Sequence, residues 1–211
     1  MTVVIVDYGS GNLRSAAKAF EKASAESKEE AQVLVSARAD EIANAAHIVL
    51  PGVGSFADCL AGLDNLPGVR AALHEAVIAS GRPFLGICVG MQLMATIGHE
   101  NGEHVGLGWI KGEVVALSQE KLKVPHMGWN ELMIRSRHPV FDGFGNGENV
   151  YFVHSYHLRC KDEREMLAET EYGTSICAVV GRDNMVGTQF HPEKSQSVGL
   201  QFISNFLAWR P

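Results

Sequence analysis

The apolar positions of this chain fall into two textures. Through the first half, short uninterrupted apolar runs alternate with stretches of helical spacing. "TVVIVD" at the start is a β-branched run of the kind that fills a buried strand. After the turn "YGSGN", the stretch "NLRSAAKAFEKA" puts Leu13, Ala16, Ala17 and Phe20 on one helical face, with Asn12 in position to cap it. "SAESKEE" has no apolar period and reads as an exposed end or loop. "AQVLVS" and "HIVLPG" predict two more buried strands, with helical pattern over residues 40–45 between them. Residues 69–81, "VRAALHEAVIASG", predict a helix closed by Gly81. "PFLGI" predicts a fourth strand.

Strands that alternate with helices imply βαβ units and a parallel sheet covered on both faces. After Gly98 the texture changes. "GWIKGEVVAL", "ELMIR", "NVYFVHSYHL", "SICAVVG" and "MVGTQF" are strand-like pieces separated by Gly, Asn, Asp and Pro turns, a pattern that predicts antiparallel pairing. "SVGLQFISNFLAW" then predicts a closing helix with Leu200, Ile203, Phe206 and Leu207 as its apolar stripe. No repeat or linker interrupts the chain. The expectation is one α/β domain over residues 1–211, with a mixed, largely parallel sheet and antiparallel additions in the C-terminal half. Ligands of such sheets bind outside the carboxyl ends of the parallel strands.

Composition and charge narrow the function classes. At 46% hydrophobic and 20% charged, the chain has the make-up of a soluble globular protein. A net charge of -6 leaves no basic footprint for nucleic acid. No apolar run approaches the ~18 residues of a membrane span, and no basic leader is visible at the N-terminus. Cys59, Cys88, Cys160 and Cys177 show no C-x-x-C spacing, so reduced thiols in a cytoplasmic protein are expected, with neither a zinc site nor a disulfide framework. "HENGEH" misses the H-E-x-x-H spacing because position 103 is Glu, and reads as a solvated loop. No metal or cofactor is expected.

The candidate chemistry begins at "GICVG", where Gly86 and Gly90 flank Cys88 in the form Gly-x-nucleophile-x-Gly. A nucleophile held on a sharp strand-to-helix turn needs small residues two positions to either side, because larger ones would collide. The N-terminus of the following helix favours a thiolate, and the N–H of Val89 can meet an oxyanion. Taken alone, the stretch also allows Cys88 to be a small core residue beside close strand–helix packing. A thiolate needs a base. In "TQFHPEKSQ", His191 and Glu193 stand two apart, and in extended chain such residues point to one side. The carboxylate can then fix the imidazole while its other nitrogen faces the thiol.

At these residues the chain resembles the class I, triad-type glutamine amidotransferases. Within that family, "DYGSGNLRS", "LPGVGSF", "GICVGMQLM", "PHMGWN" with "FVHSYH", and "QFHPEKSQ" are similar to the branch that serves imidazole glycerol phosphate synthesis in histidine biosynthesis. The resemblance implies a three-layer, flavodoxin-like fold. It also implies a glutaminase in which Cys88 attacks the side-chain amide of glutamine, His191 moves the proton and Glu193 orients His191. Gly52, Val53 and Val89 would form the oxyanion hole, and Gln92, Ser155 and Tyr156 would hold the substrate. Ammonia would pass to a (β/α)8 barrel synthase in a heterodimer, with Asn12, Trp129, Tyr156 and Lys194 in motifs that resemble the partner-facing surface. Ordinary core packing is the other reading of Trp129. Two further readings remain at the level of sequence: another amidotransferase of the class, serving anthranilate, aminodeoxychorismate or pyridoxal phosphate synthesis, and a non-catalytic module on the same fold. His126 and His154 lie in the quoted motifs without an assigned role.

Overall fold

The structure, a computed structural model, describes residues 1–26, 30–118 and 122–211. The chain runs β1 (Thr2–Val6), α1 (Leu13–Glu26), β2 (Gln32–Ser36), α2 (Ala39–Ala43), β3 (His47–Gly52), α3 (Phe56–Asp64), α4 (Val69–His74, continued by a π turn over Glu75–Ala79), β4 (Phe84–Cys88) and α5 (Val89–Gln92). It continues through β5 (Ala95–Gly98), β6 (His104–Val105), β7 (Ile110–Ala116), β8 (His126–Ile134), β9 (Glu148–His154), β10 (Tyr156–Cys160), β11 (Met166–Glu171), β12 (Ser175–Arg182), β13 (Met185–Thr188) and α6 (Gln196–Ala208).

The main sheet has nine strands in the order β2-β1-β3-β4-β13-β12-β11-β8-β9. The pairs from β2 to β13 are parallel. They take the 2-1-3-4-5 order of flavodoxin-like sheets, with β13 as the fifth strand. From β13 onward every pair is antiparallel. Helices α1 and α6 pack on one another, while α2, α3 and α4 form a second group. Two such groups are what a sheet covered on both faces requires. Strands β1, β3 and β4 are buried along almost their whole length, and β13 is buried throughout.

Several expectations need correction. "AQVLVS" is not a buried strand. It forms β2 at the edge of the sheet, and Val35 is 44% exposed. An apolar run cannot itself tell a central strand from an edge one, since the difference is a neighbour far away in sequence. The stretch "SAESKEE" is partly helix. α1 runs through Glu26 with Ser24 buried, and residues 27–29 lie outside the described residues. "NVYFVHSYHL" is two strands, not one. It breaks at Ser155, and β9 stays in the main sheet while β10 enters a second sheet of four strands, β10-β7-β5-β6. Two sheets therefore replace the single one expected. Four further strands and helices stand where the apolar pattern predicts none: β5, β6, β11, and α3, whose cap is Ser55 with its side chain accepting from the Asp58 N–H.

Candidate active site

β3 and β4 end side by side, with Gly52 directly opposite Cys88 in the parallel register. Cys88 closes β4 at φ 55° and ψ −111°, a conformation that L residues avoid. The turn into α5 is thus as sharp as the Gly-x-Cys-x-Gly pattern demands. A Cβ at Gly86 would lie 2.6 Å from the Gly90 carbonyl oxygen, and one at Gly90 would run into the Leu50 carbonyl of β3, so both flanking positions need glycine. α5 is only four residues long. Its contribution at Cys88 comes from unpaired first-turn N–H groups, Val89 among them, and not from a long helix dipole.

His191 and Glu193 come together by a route that differs from the expected one. His191 is extended, but Pro192–Lys194 is a 3-10 turn. That turn brings Glu193 Oε1 within 2.8 Å of His191 Nδ1, with both side chains almost completely buried. Nδ1 therefore carries the proton toward the carboxylate. Nε2 has no partner of hydrogen-bond geometry among the described residues, although the Cys88 sulfur is close enough to act on the ring's charge. Burial alone would push the imidazole down. The Cys88 sulfur and the Glu193 carboxylate outweigh it and lift His191 to about 9.

Two polar neighbours of the site carry no role in the sequence reading. Gln189 is fully buried, and its Nε2 points at the Cys88 sulfur at 3.7 Å. Its Oε1 accepts from Gln92 Nε2 at 3.0 Å, and Gln92 Nε2 also donates to the Tyr156 carbonyl at 2.9 Å. A polar side chain inside the buried run "VGTQF" is the one hint the sequence holds. Glu100 is the second. It sits in "HENGEH", expected to be a solvated loop, yet it lines the cavity at Cys88 and accepts the Phe56 N–H at 2.7 Å.

That cavity has a volume of about 290 Å³, and Cys88, Val89, Gln92, Ser155, Tyr156, His191 and Lys194 all contribute to its wall. Val53 lines it too, but its peptide groups are engaged elsewhere. Its N–H donates to Ser10 Oγ at 3.2 Å, and its carbonyl accepts from Ser10 Oγ at 2.5 Å and from Cys59 Sγ at 3.3 Å. Beside the cavity, Trp129 is 48% exposed and therefore not a core residue. Its ring lies 5.8 Å from that of Tyr151, and Lys194 Nζ stands 5.7 Å from the centre of the Tyr151 ring. Asn12 is exposed at the start of α1, which packs against the Pro192–Lys194 turn.

Stability should respond to pH at both ends. His191, raised to about 9 from the ordinary 6.5, favours the charged form in the fold; that stabilisation is complete below about pH 6.5 and is lost as pH rises through about 9. Burial holds His126 down to about 4 and His154 to about 3, so the stability linked to their neutral forms is present above about 6.5 and is lost as pH falls toward those values. Urea midpoints measured across pH should form a dome, and His191→Asn should flatten its alkaline limb. An unchanged alkaline limb in that variant would contradict the assigned ion pair.

Comparison with known proteins bears on the chain as a whole. The family described as "Glutamine amidotransferase class-I" matches residues 4–209. "Imidazole glycerol phosphate synthase subunit HisH" of Agrobacterium fabrum is 55% identical over 216 residues, covering all of both chains. The protein of that name from Ruegeria pomeroyi is 55% identical over 213 residues, again covering both completely. Among solved structures, a putative GMP synthase component from Thermoplasma acidophilum superimposes with a TM-score of 0.70 at 18% identity, covering 99% of this chain and 92% of that one. At that identity the likeness speaks for the fold.

Proposed function

Because the chain belongs to the class I glutamine amidotransferases, we propose that it is the glutaminase subunit of an imidazole glycerol phosphate synthase, acting in histidine biosynthesis. Its full-length identity to subunits of that name supports the branch. The observation that carries the chemistry is Cys88, held at φ 55° in a cavity beside the buried His191–Glu193 pair.

The Cys88 sulfur attacks the side-chain amide carbon of glutamine, its proton having passed to His191. Charged below about pH 9, His191 holds the proton that departing ammonia takes. Glu193 keeps the ring in place and stabilises its charge. The γ-glutamyl thioester is then opened by water, with neutral His191 as base, and glutamate leaves. Val89 N–H meets the oxyanion. Glu100, the carboxylate on the cavity wall, suits the substrate's α-ammonium, while Gln92, Ser155 and Tyr156 hold the rest of the amino acid. Ammonia passes to a (β/α)8 barrel synthase that makes imidazole glycerol phosphate and aminoimidazole carboxamide ribotide. The exposed Trp129, with Lys194 and Asn12, faces that partner in a heterodimer.

The second oxyanion donor is the Val53 N–H, which reaches the site only after its peptide turns away from Ser10. Gly54, at φ +97° with open space around it, lets the backbone turn there. Ser10→Ala removes the hydroxyl that holds both ends of Val53, and should raise glutamate release by the isolated chain about two- to tenfold, the worth of one or two net hydrogen bonds. An unchanged rate would count against this latch. The function as a whole is tested by co-expression with a (β/α)8 barrel synthase of this pathway. A stable complex that releases glutamate faster than the free chain is expected; no association, or turnover indifferent to the partner, would refute it.

A further inference from the structure

His126 and His154 face each other across the β8–β9 ladder, as partners in register. Their hydrogen bonds form one directed chain. His154 Nδ1 lies 2.9 Å from the Tyr156 carbonyl, and since a carbonyl only accepts, that nitrogen carries the proton. In a neutral ring the other nitrogen, Nε2, is then an acceptor. It lies 3.0 Å from His126 Nδ1, which must donate to it. His126 Nε2 is left as an acceptor and takes Asn130 Nδ2 at 3.2 Å. Every ring nitrogen has a partner, and the direction of each bond is set by the Tyr156 carbonyl at one end and the Asn130 amide at the other. Stacking fixes the inner ring, with His126 lying between Tyr172 at 3.9 Å and Phe152 at 4.7 Å, both nearly parallel to it.

The chain ends where the backbone does something unusual. Ser155 is the single residue between β9 of the main sheet and β10 of the second sheet. The wall of the Cys88 cavity includes Val153, His154, Ser155 and Tyr156, so the crossing segment is itself part of the site. His154 bonds the carbonyl two residues ahead and thereby closes the crossing into a tight turn. The same carbonyl accepts from Gln92 Nε2, on the helix that follows Cys88. The Tyr156 carbonyl is thus the point at which the nucleophile's helix and the opposite wall are tied together.

We infer that His154, set in its tautomer and orientation by His126, is a positioning residue that holds the Ser155–Tyr156 wall at the distance from Cys88 that a bound glutamine requires. The inference rests on the amidotransferase reading above. Neither imidazole takes part in bond making. Their work is done on the substrate's fit, so they act on glutamine binding and leave the intrinsic reactivity of the thiol alone.

Two near-isosteric substitutions separate the ends of the chain. In His154→Asn, the amide nitrogen sits near the place of Nδ1 and can keep the Tyr156 bond. In His154→Gln, the longer side chain reaches toward His126 but gives up Nδ1. The complex with the barrel synthase is assayed for glutamate release. The Cys88 thiol is labelled in parallel with a glutamine-shaped chloroketone and with iodoacetamide, which has no amino-acid shape. His154→Gln is expected to raise KM for glutamine about tenfold with kcat within about threefold, as loss of one positioning bond would do. Chloroketone labelling should slow by a similar factor, with iodoacetamide labelling unchanged. His154→Asn should restore most of the affinity. His126→Phe, which keeps the stack and loses both hydrogen bonds, should resemble His154→Gln. An unchanged KM in His154→Gln would overturn the inference, and so would an equal slowing of both labels in both His154 variants. A wild-type complex that fails to hydrolyse glutamine would instead overturn the parent reading.

Discussion

Cys88→Ala is expected to reduce glutamine-dependent turnover by a factor of about 10⁴–10⁶, the loss seen when a member of a nucleophilic unit is removed. Synthesis supplied with an ammonium salt should continue, because in the proposed reaction ammonia enters after the step assigned to Cys88. The size of the effect follows from the geometry. The elbow holds one sulfur at φ 55° beside the only described imidazole that is paired with a buried carboxylate. Cys59, the other thiol near the cavity, bonds to Ser10 and to the Val53 carbonyl, and burial pushes it up, away from thiolate. It is not a substitute nucleophile. Full glutamine-dependent activity in Cys88→Ala, measured as glutamate release, would remove the mechanism.

Gly90→Ala should be nearly as damaging, through packing. A Cβ built at Gly90 lies 1.8 Å from the Leu50 carbonyl oxygen and 2.8 Å from the Leu50 carbonyl carbon. Both belong to the backbone of β3, fully buried and bonded to β1 and β4, so no flexible side chain can swing aside. α5 must move off the sheet by about an ångström or more, which costs about 3 kcal/mol of overpacking strain. That movement carries Val89 and the Cys88 turn with it, and a displacement of such size costs about 10²-fold in rate. Gly81→Ala, at φ +64° and away from the cavity, is the control. It is strained only through φ, has open space, and should lose about 1 kcal/mol. Urea midpoints and glutamate release on the two variants test the contrast, and equal losses would refute it.

How much of this is legible in the sequence depends on whether the signal is local. The elbow is readable because its steric demand falls within five residues, and the alternating first half gives the parallel strands because each strand is a continuous apolar run. The His191–Glu193 proximity is readable from spacing, although its cause is different: a 3-10 turn brings them together, not extended chain. What stays hidden is non-local. β2 is an edge strand only because no strand lies beyond it among the described residues. The break at Ser155 is invisible in a run that looks continuous, since the two halves are separated by which sheet each pairs with. Gln189 and Glu100 stay without an assigned role, the first hinted at only by its polarity inside a buried run, because each is polar for the sake of a partner far away in the chain, at Cys88 and at Phe56. His126 and His154 carry no spacing signal either, being 28 residues apart and joined only by the β8–β9 register.

The proposed mechanism requires that glutamine is opened on Cys88. Acid quench of the chain and the barrel synthase proposed as its partner during turnover, followed by digestion and mass spectrometry, reads this directly. A γ-glutamyl group on the peptide containing Cys88, absent from the peptides of Cys59, Cys160 and Cys177 and absent when glutamine is omitted, is the expected result. Turnover that proceeds with the glutamyl group on another residue, or with Cys88 unmodified under conditions where the thioester is trapped from a known enzyme of the family, would contradict it.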